Sequence, residues 1–197
     1  VASGAKHSIY IALCCMLNPG DEVIIPAPYW VTYSEAVSMA GGTPVILQTS
    51  ETQGFLLQPE ALEAAITPRT TALILNNPSN PTGMFYNAEQ LAALCQVCVK
   101  HDIWIMSDEI YYRLLYDGLR FTSAAALGEE IKARTILVNG VSKSYAMTGW
   151  RIGYTACDSK LAKAMSNFLS HSTSAPSTIS QWAAIEALGG AQDSAGG

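Results

Sequence analysis

The chain has 197 residues, enough for one domain with a substantial core, and a formal net charge of −5. Hydrophobic residues make up 49% and charged residues only 14%, against about 25% charged in an ordinary soluble domain. The acidic balance, with no cluster of lysine or arginine, argues against a nucleic-acid surface, and no apolar run approaches the roughly 18 residues that cross a bilayer.

The first element, "GAKHSIYIALCCML", has helical character and stops at "NPGD". "EVIIP" then reads as a short strand, and "VTYSEAVSMA" as a helix ending at Gly41-Gly42. A strand "TPVILQT", a helix "QPEALEAAI" and a strand "TALILN" follow. "NAEQLAALCQVCVKH" has a clear helix start and leads to the strand "IWIMSD". "TILVN" and "RIGYTAC" read as strands, and "DSKLAKAMSNFLSH" and "TISQWAAIEAL" as helices. Strands alternating with helices predict an α/β fold with a mostly parallel sheet flanked by helices. The continuous apolarity of "EVIIP" and "TALIL" fits strands covered on both faces. No repeat or internal linker interrupts the series, so residues 1–197 form a single domain.

The five cysteines are odd in number and suggest no disulfide framework, so a reducing cytoplasm is the expected setting. "CQVC", residues 95–98, has no second pair and no histidine at zinc spacing; within a helix it is core packing, and no metal site is expected.

In an open α/β sheet, ligands bind beyond the carboxyl ends of the strands. Asn80 follows "TALIL" in the proline-framed turn "NNPSNPTG", Asp108 and Tyr111 follow "IWIM", and Lys143 follows "TILV". "SGAK", residues 3–6, opens the first helix, and Trp30 lies just past "EVIIP". Each residue has a bland explanation. Asn80 suits a turn, Asp108 a cap, Tyr111 and Trp30 half-buried packing, and Ser3 a helix N-cap. Together they match the needs of pyridoxal phosphate. That cofactor requires a Schiff-base lysine, an acid against its pyridine nitrogen, donors to its phenolate oxygen, and a cationic helix end for its phosphate. Spacing alone does not name it.

"NNPSNPTG", "SDEIYYRLLYDG" and "NGVSKSYAMTGWRIGY" resemble the class I, fold type I pyridoxal-phosphate aminotransferases, most closely the prokaryotic-type aspartate branch. The resemblance runs from "VASGAKHSIY" to "ISQWAAIEAL" and implies the large, cofactor-binding domain of such an enzyme. It makes Lys143 the Schiff-base lysine and catalytic base, and Asp108 the partner of the pyridine nitrogen. Tyr111 and Asn80 would bond the phenolate oxygen. Trp30 would stack on the ring, and Trp30 and Asn80 would also face substrate. The backbone at Gly4, Ala5 and Lys6, with Arg151, would hold the phosphate. Three residues before the lysine, where a phosphate-contacting serine is often found in the family, stands Gly140, and Ser142 would take over that contact.

The missing initiator methionine and the featureless end "GGAQDSAGG" suggest a central piece of a longer protein. The resemblance then puts the carboxylate-binding arginine of the small domain, and a phosphate-binding tyrosine of a homodimer partner, outside this sequence. It implies transamination between an amino acid, with aspartate the leading candidate, and a 2-oxo acid. Elimination or C–S lyase chemistry on the same scaffold, and a non-catalytic domain or fragment, are the alternatives.

Overall fold

The structure, a computed structural model, describes residues 1–192; the last five residues of the featureless terminal stretch lie outside the described residues. Among the described residues six strands form one sheet: β1 Glu22–Ala27, β2 Thr43–Gln48, β3 Thr70–Asn76, β4 Trp104–Asp108, β5 Thr135–Gly140 and β6 Gly153–Ala156. Their spatial order is β2-β1-β3-β4-β5-β6. All neighbours pair in parallel except β5 and β6, which are antiparallel.

Helices α1 Ala5–Met16, α2 Thr32–Met39 and α6 Ser159–Ser170 cover one face. Helices α3 Pro59–Ala65, α4 Ala88–Lys100 and α5 Glu129–Arg134 cover the other. The two-residue side-chain period of the strands divides them between these layers. Val23, Ile25, Ile74 and Met106 pack toward α1 and α6, while Ile24, Leu73, Leu75 and Ile105 pack toward α4. This explains why the strands are apolar without alternation. Cys95 and Cys98 are fully buried in the second layer, as core packing requires. Helix α7, Thr178–Gly189, follows α6 at the end of the described chain.

Local chemistry sets the boundaries. Asn87 and Gln90 form a reciprocal capping box at α4. Asp158 caps α6 by accepting from the backbone N–H groups of Lys160 and Leu161, and Pro59 opens α3. Two sequence readings are corrected, and one helix was not read at all. The N-cap position of α1 belongs to Gly4, not Ser3; the Ser3 N–H instead donates to His7 Nδ1 at 3.3 Å. The strand expected from Arg151 begins only at Gly153, because Arg151 adopts a left-handed conformation (φ 54°) after a 3₁₀ turn over Thr148–Trp150. Finally, α5 had no counterpart in the sequence reading. At six residues it is too short to show a periodic stripe.

Candidate active site

The carboxyl ends of β1, β3, β4 and β5 and the amino end of α1 surround a cavity of about 300 Å³. Parallel pairing aligns Asn76 with Asp108 and Asp108 with Val138, so the residues that end these strands, or follow them, share one rim.

Asp108 forms the floor and is 2% exposed. Its Oδ1 accepts the Ile110 N–H at 3.1 Å, and its Oδ2 accepts the Tyr33 hydroxyl at 2.7 Å. Burial pushes this carboxyl up to about 6, against the opposing pull of those two donors. Burial, reinforced by the neighbouring Asp108 charge, raises the Tyr33 phenol well above its ordinary value, which keeps it a hydrogen-bond donor.

Lys143 follows β5 and is solvent-accessible at the cavity wall, its Nζ 5.6 Å from the centre of the Tyr111 ring. The Tyr111 hydroxyl accepts from Asn80 Nδ2 at 3.5 Å. Trp30 lines the same space, edge-to-face with Tyr33 at 5.5 Å between ring centres.

The opposite end of the cavity is cationic. Ala5 and Lys6 begin α1, where the first-turn N–H groups have no intrahelical acceptor and the helix dipole is positive. The Arg151 guanidinium donates to the Thr148 carbonyl at 2.9 Å and to the Ser3 carbonyl at 3.4 Å, which fixes it beside that helix end. Ser142, largely buried, lines the cavity as well, and Lys6 Nζ lies 4.8 Å from the Trp30 ring centre.

Of the predicted site residues, Gly4 alone is not part of the lining. Its N–H is spent on the Ala2 carbonyl at 2.8 Å. It instead clears space: a Cβ here would run into the Arg151 guanidinium, and its φ of 90° favours glycine. Gly140 has an equally physical cause. A Cβ at this position would lie 2.7 Å from the Ile152 carbonyl oxygen, so no serine fits without moving β6.

Sequence reasoning missed Tyr33, Asn76, Ile110 and Thr148, all of which line the cavity. Asn76 had left a signal as the polar residue closing an otherwise apolar strand. Tyr33 had left a weaker one, one helical turn after Trp30.

The model of aminotransferase classes I and II matches residues 1–196. The aspartate aminotransferase of Geobacillus stearothermophilus is 54% identical over 98% of this chain and 49% of its own length. An aspartate/prephenate aminotransferase of Cereibacter sphaeroides is 54% identical over 98% of this chain and 48% of its own. The crystal structure of the aspartate aminotransferase from Rhizobium meliloti superposes with a TM-score of 0.95 at 49% identity, covering 98% of this chain and 48% of that one. The chain thus spans about half the length of the relatives it matches. With its sheet order and these similarities in agreement, the chain belongs to the class I and II aminotransferase family.

Proposed function

We propose that residues 1–197 are the cofactor-binding large domain of an aminotransferase. It moves an amino group between an amino acid, with aspartate the first candidate, and a 2-oxo acid, using pyridoxal 5′-phosphate carried by Lys143. The observation that carries this reading is convergence. A buried carboxylate, an accessible amine, an amide–phenol pair and a guanidinium beside a helix N-terminus line one cavity. That donor set fits the cofactor group by group. When bound, the pyridoxal ring accepts the electron pair left on the substrate Cα.

The chain's own residues do the rest. Asp108 keeps a proton on the pyridine nitrogen, and a cation opposite it offsets the burial that raises its own carboxyl. Asn80 and Tyr111 donate to the phenolate oxygen. Arg151, the Ala5 and Lys6 N–H groups and the Ser142 hydroxyl hold the phosphate. Trp30 covers the ring face, and with Asn80 it borders the substrate. Lys143 Nζ would tether the cofactor and would serve as the base that takes the substrate Cα proton.

The aspartate preference is supported by the names of the relatives, one of which couples aspartate with prephenate. A homodimer is supported by large apolar side chains left on the surface, Val31, Met39 and Trp182 among them. A cytoplasmic setting is supported by five free thiols, two of them deep in the core. No helix among the described residues is long and apolar enough to cross a membrane.

The test uses the full-length polypeptide carrying this sequence, with pyridoxal phosphate, aspartate and 2-oxoglutarate. Glutamate should accumulate, and Lys143→Ala should abolish it. Equal turnover in that variant, or release of ammonia without a new amino acid, would sink the reading.

A further inference from the structure

Asn76 lines the cavity without a part in the chemistry proposed above, yet its side chain joins two residues that have one. It closes β3 opposite Asp108 in the parallel ladder and is 9% exposed. Its Nδ2 donates to the Asp108 carbonyl at 3.0 Å, and its Oδ1 accepts the Asn80 N–H at 2.8 Å. A carbonyl on one side and an N–H on the other fix which way the amide faces. An aspartate at this position would have no donor for the Asp108 carbonyl, and an aliphatic residue would serve neither partner.

The next residue secures the same turn from its far side. Asn77 Nδ2 donates to the Tyr86 carbonyl at 3.2 Å, and its Oδ1 accepts the Tyr86 N–H at 2.9 Å. The Asn77 N–H also donates to the Asp108 carbonyl at 3.1 Å. Held at both ends, the turn carries Asn80 Nδ2 up to the Tyr111 hydroxyl.

Resting on the function proposed above, we propose that Asn76 is a positioning residue whose single amide sets the distance between Asn80 and Asp108. It thereby places donors at the phenolate oxygen and a carboxylate at the pyridine nitrogen at one fixed separation. Without this amide the Asn80 N–H loses its acceptor and the turn relaxes. Asn80 and Tyr111 then donate less well to the phenolate oxygen, and its ionised form is less favoured.

The test is a pH titration of the visible absorbance of lysine-bound pyridoxal phosphate in the full-length polypeptide. Wild type, Asn76→Ala and Asn76→Ser are compared, with Lys143→Ala as control, and cofactor affinity and chemical unfolding are measured alongside. In Asn76→Ala the titration midpoint should rise by about 0.5–1 pH unit, and cofactor affinity should fall roughly tenfold. Asn76→Ser, whose one hydroxyl can serve either partner but not both, should lie between and carries the test if the alanine variant does not fold. A midpoint unmoved from wild type in a folded variant overturns the proposal, whatever happens to stability, because loss of packing alone leaves that midpoint in place. A wild-type protein whose absorbance does not depend on Lys143 overturns the underlying reading of the site, and the role of Asn76 with it.

Discussion

At the scale of single residues, Asp108 concentrates the electrostatics of the site. Its carboxyl lies in the floor of the cavity with two donors, which do not compensate fully for the water it has lost. The consequence for the cofactor-free protein has a definite sign. Between about pH 4 and 6 the unfolded chain has released the Asp108 proton while the native state keeps it, so native stability falls as pH rises through that window. Relative to Asp108→Asn, the parent should lose on the order of 3 kcal/mol between pH 4 and 7, with the change levelling off above pH 6. Denaturant unfolding at a series of pH values measures it. A difference that stays flat would show that Asp108 titrates as an ordinary surface acid.

Residue identity was the most legible level of the sequence, but only for side chains that stand in distinctive strings. Lys143, Asp108, Tyr111, Asn80, Trp30 and Arg151 stand in distinctive strings, and each lines the cavity. Tyr33 and Asn76 act by holding other residues, and no spacing rule marks such a role. Their partners, 75 and 32 residues away, are visible only once β3, β4 and α2 have been packed together.

At the scale of elements, the end of β5, the start of β6 and the start of α1 form one tight junction. Ala2 and Gly153 exchange backbone hydrogen bonds of 2.8 and 3.0 Å, and a Cβ on Gly153 would run into the backbone of Gly4 and Ala5. This closeness brings the amino end of α1 to Arg151. Gly140 belongs to the same junction, so Gly140→Ser should not restore a phosphate contact. It should destabilise the protein by about 1–3 kcal/mol through overpacking against β6. Thermal unfolding beside a cofactor titration checks this; unchanged stability with tighter cofactor binding would contradict it. The strand and helix pattern was largely readable because two-sided apolar strands and capped helices leave strong local signals. The left-handed turn at Arg151 was not, since the apolar and β-branched residues around it mimic a longer strand.

At the scale of the whole molecule, the low charge content becomes a surface property. Ile179, Trp182 and Ile185, three residues apart along α7, are 75%, 68% and 58% exposed, a contiguous apolar stripe. Surfaces of this kind drive association. Replacing Ile179 with Lys and Trp182 with Gln should reduce self-association of the chain while changing stability by no more than about 0.5 kcal/mol. Sedimentation at rising concentration reads this out, and identical profiles for parent and variant would remove the stripe as the cause. Composition announced the excess of apolar residues, but only the packed helices show which of them are left uncovered.

The most direct measurement is the absorbance spectrum after pyridoxal phosphate is added to the parent and to Lys143→Ala. A cofactor band held through gel filtration by the parent and absent from the variant is the expected result. It would establish both the assembled cavity and the role of the lysine. Identical spectra from two folded proteins would contradict the assignment of Lys143, and with it the proposed chemistry of the site.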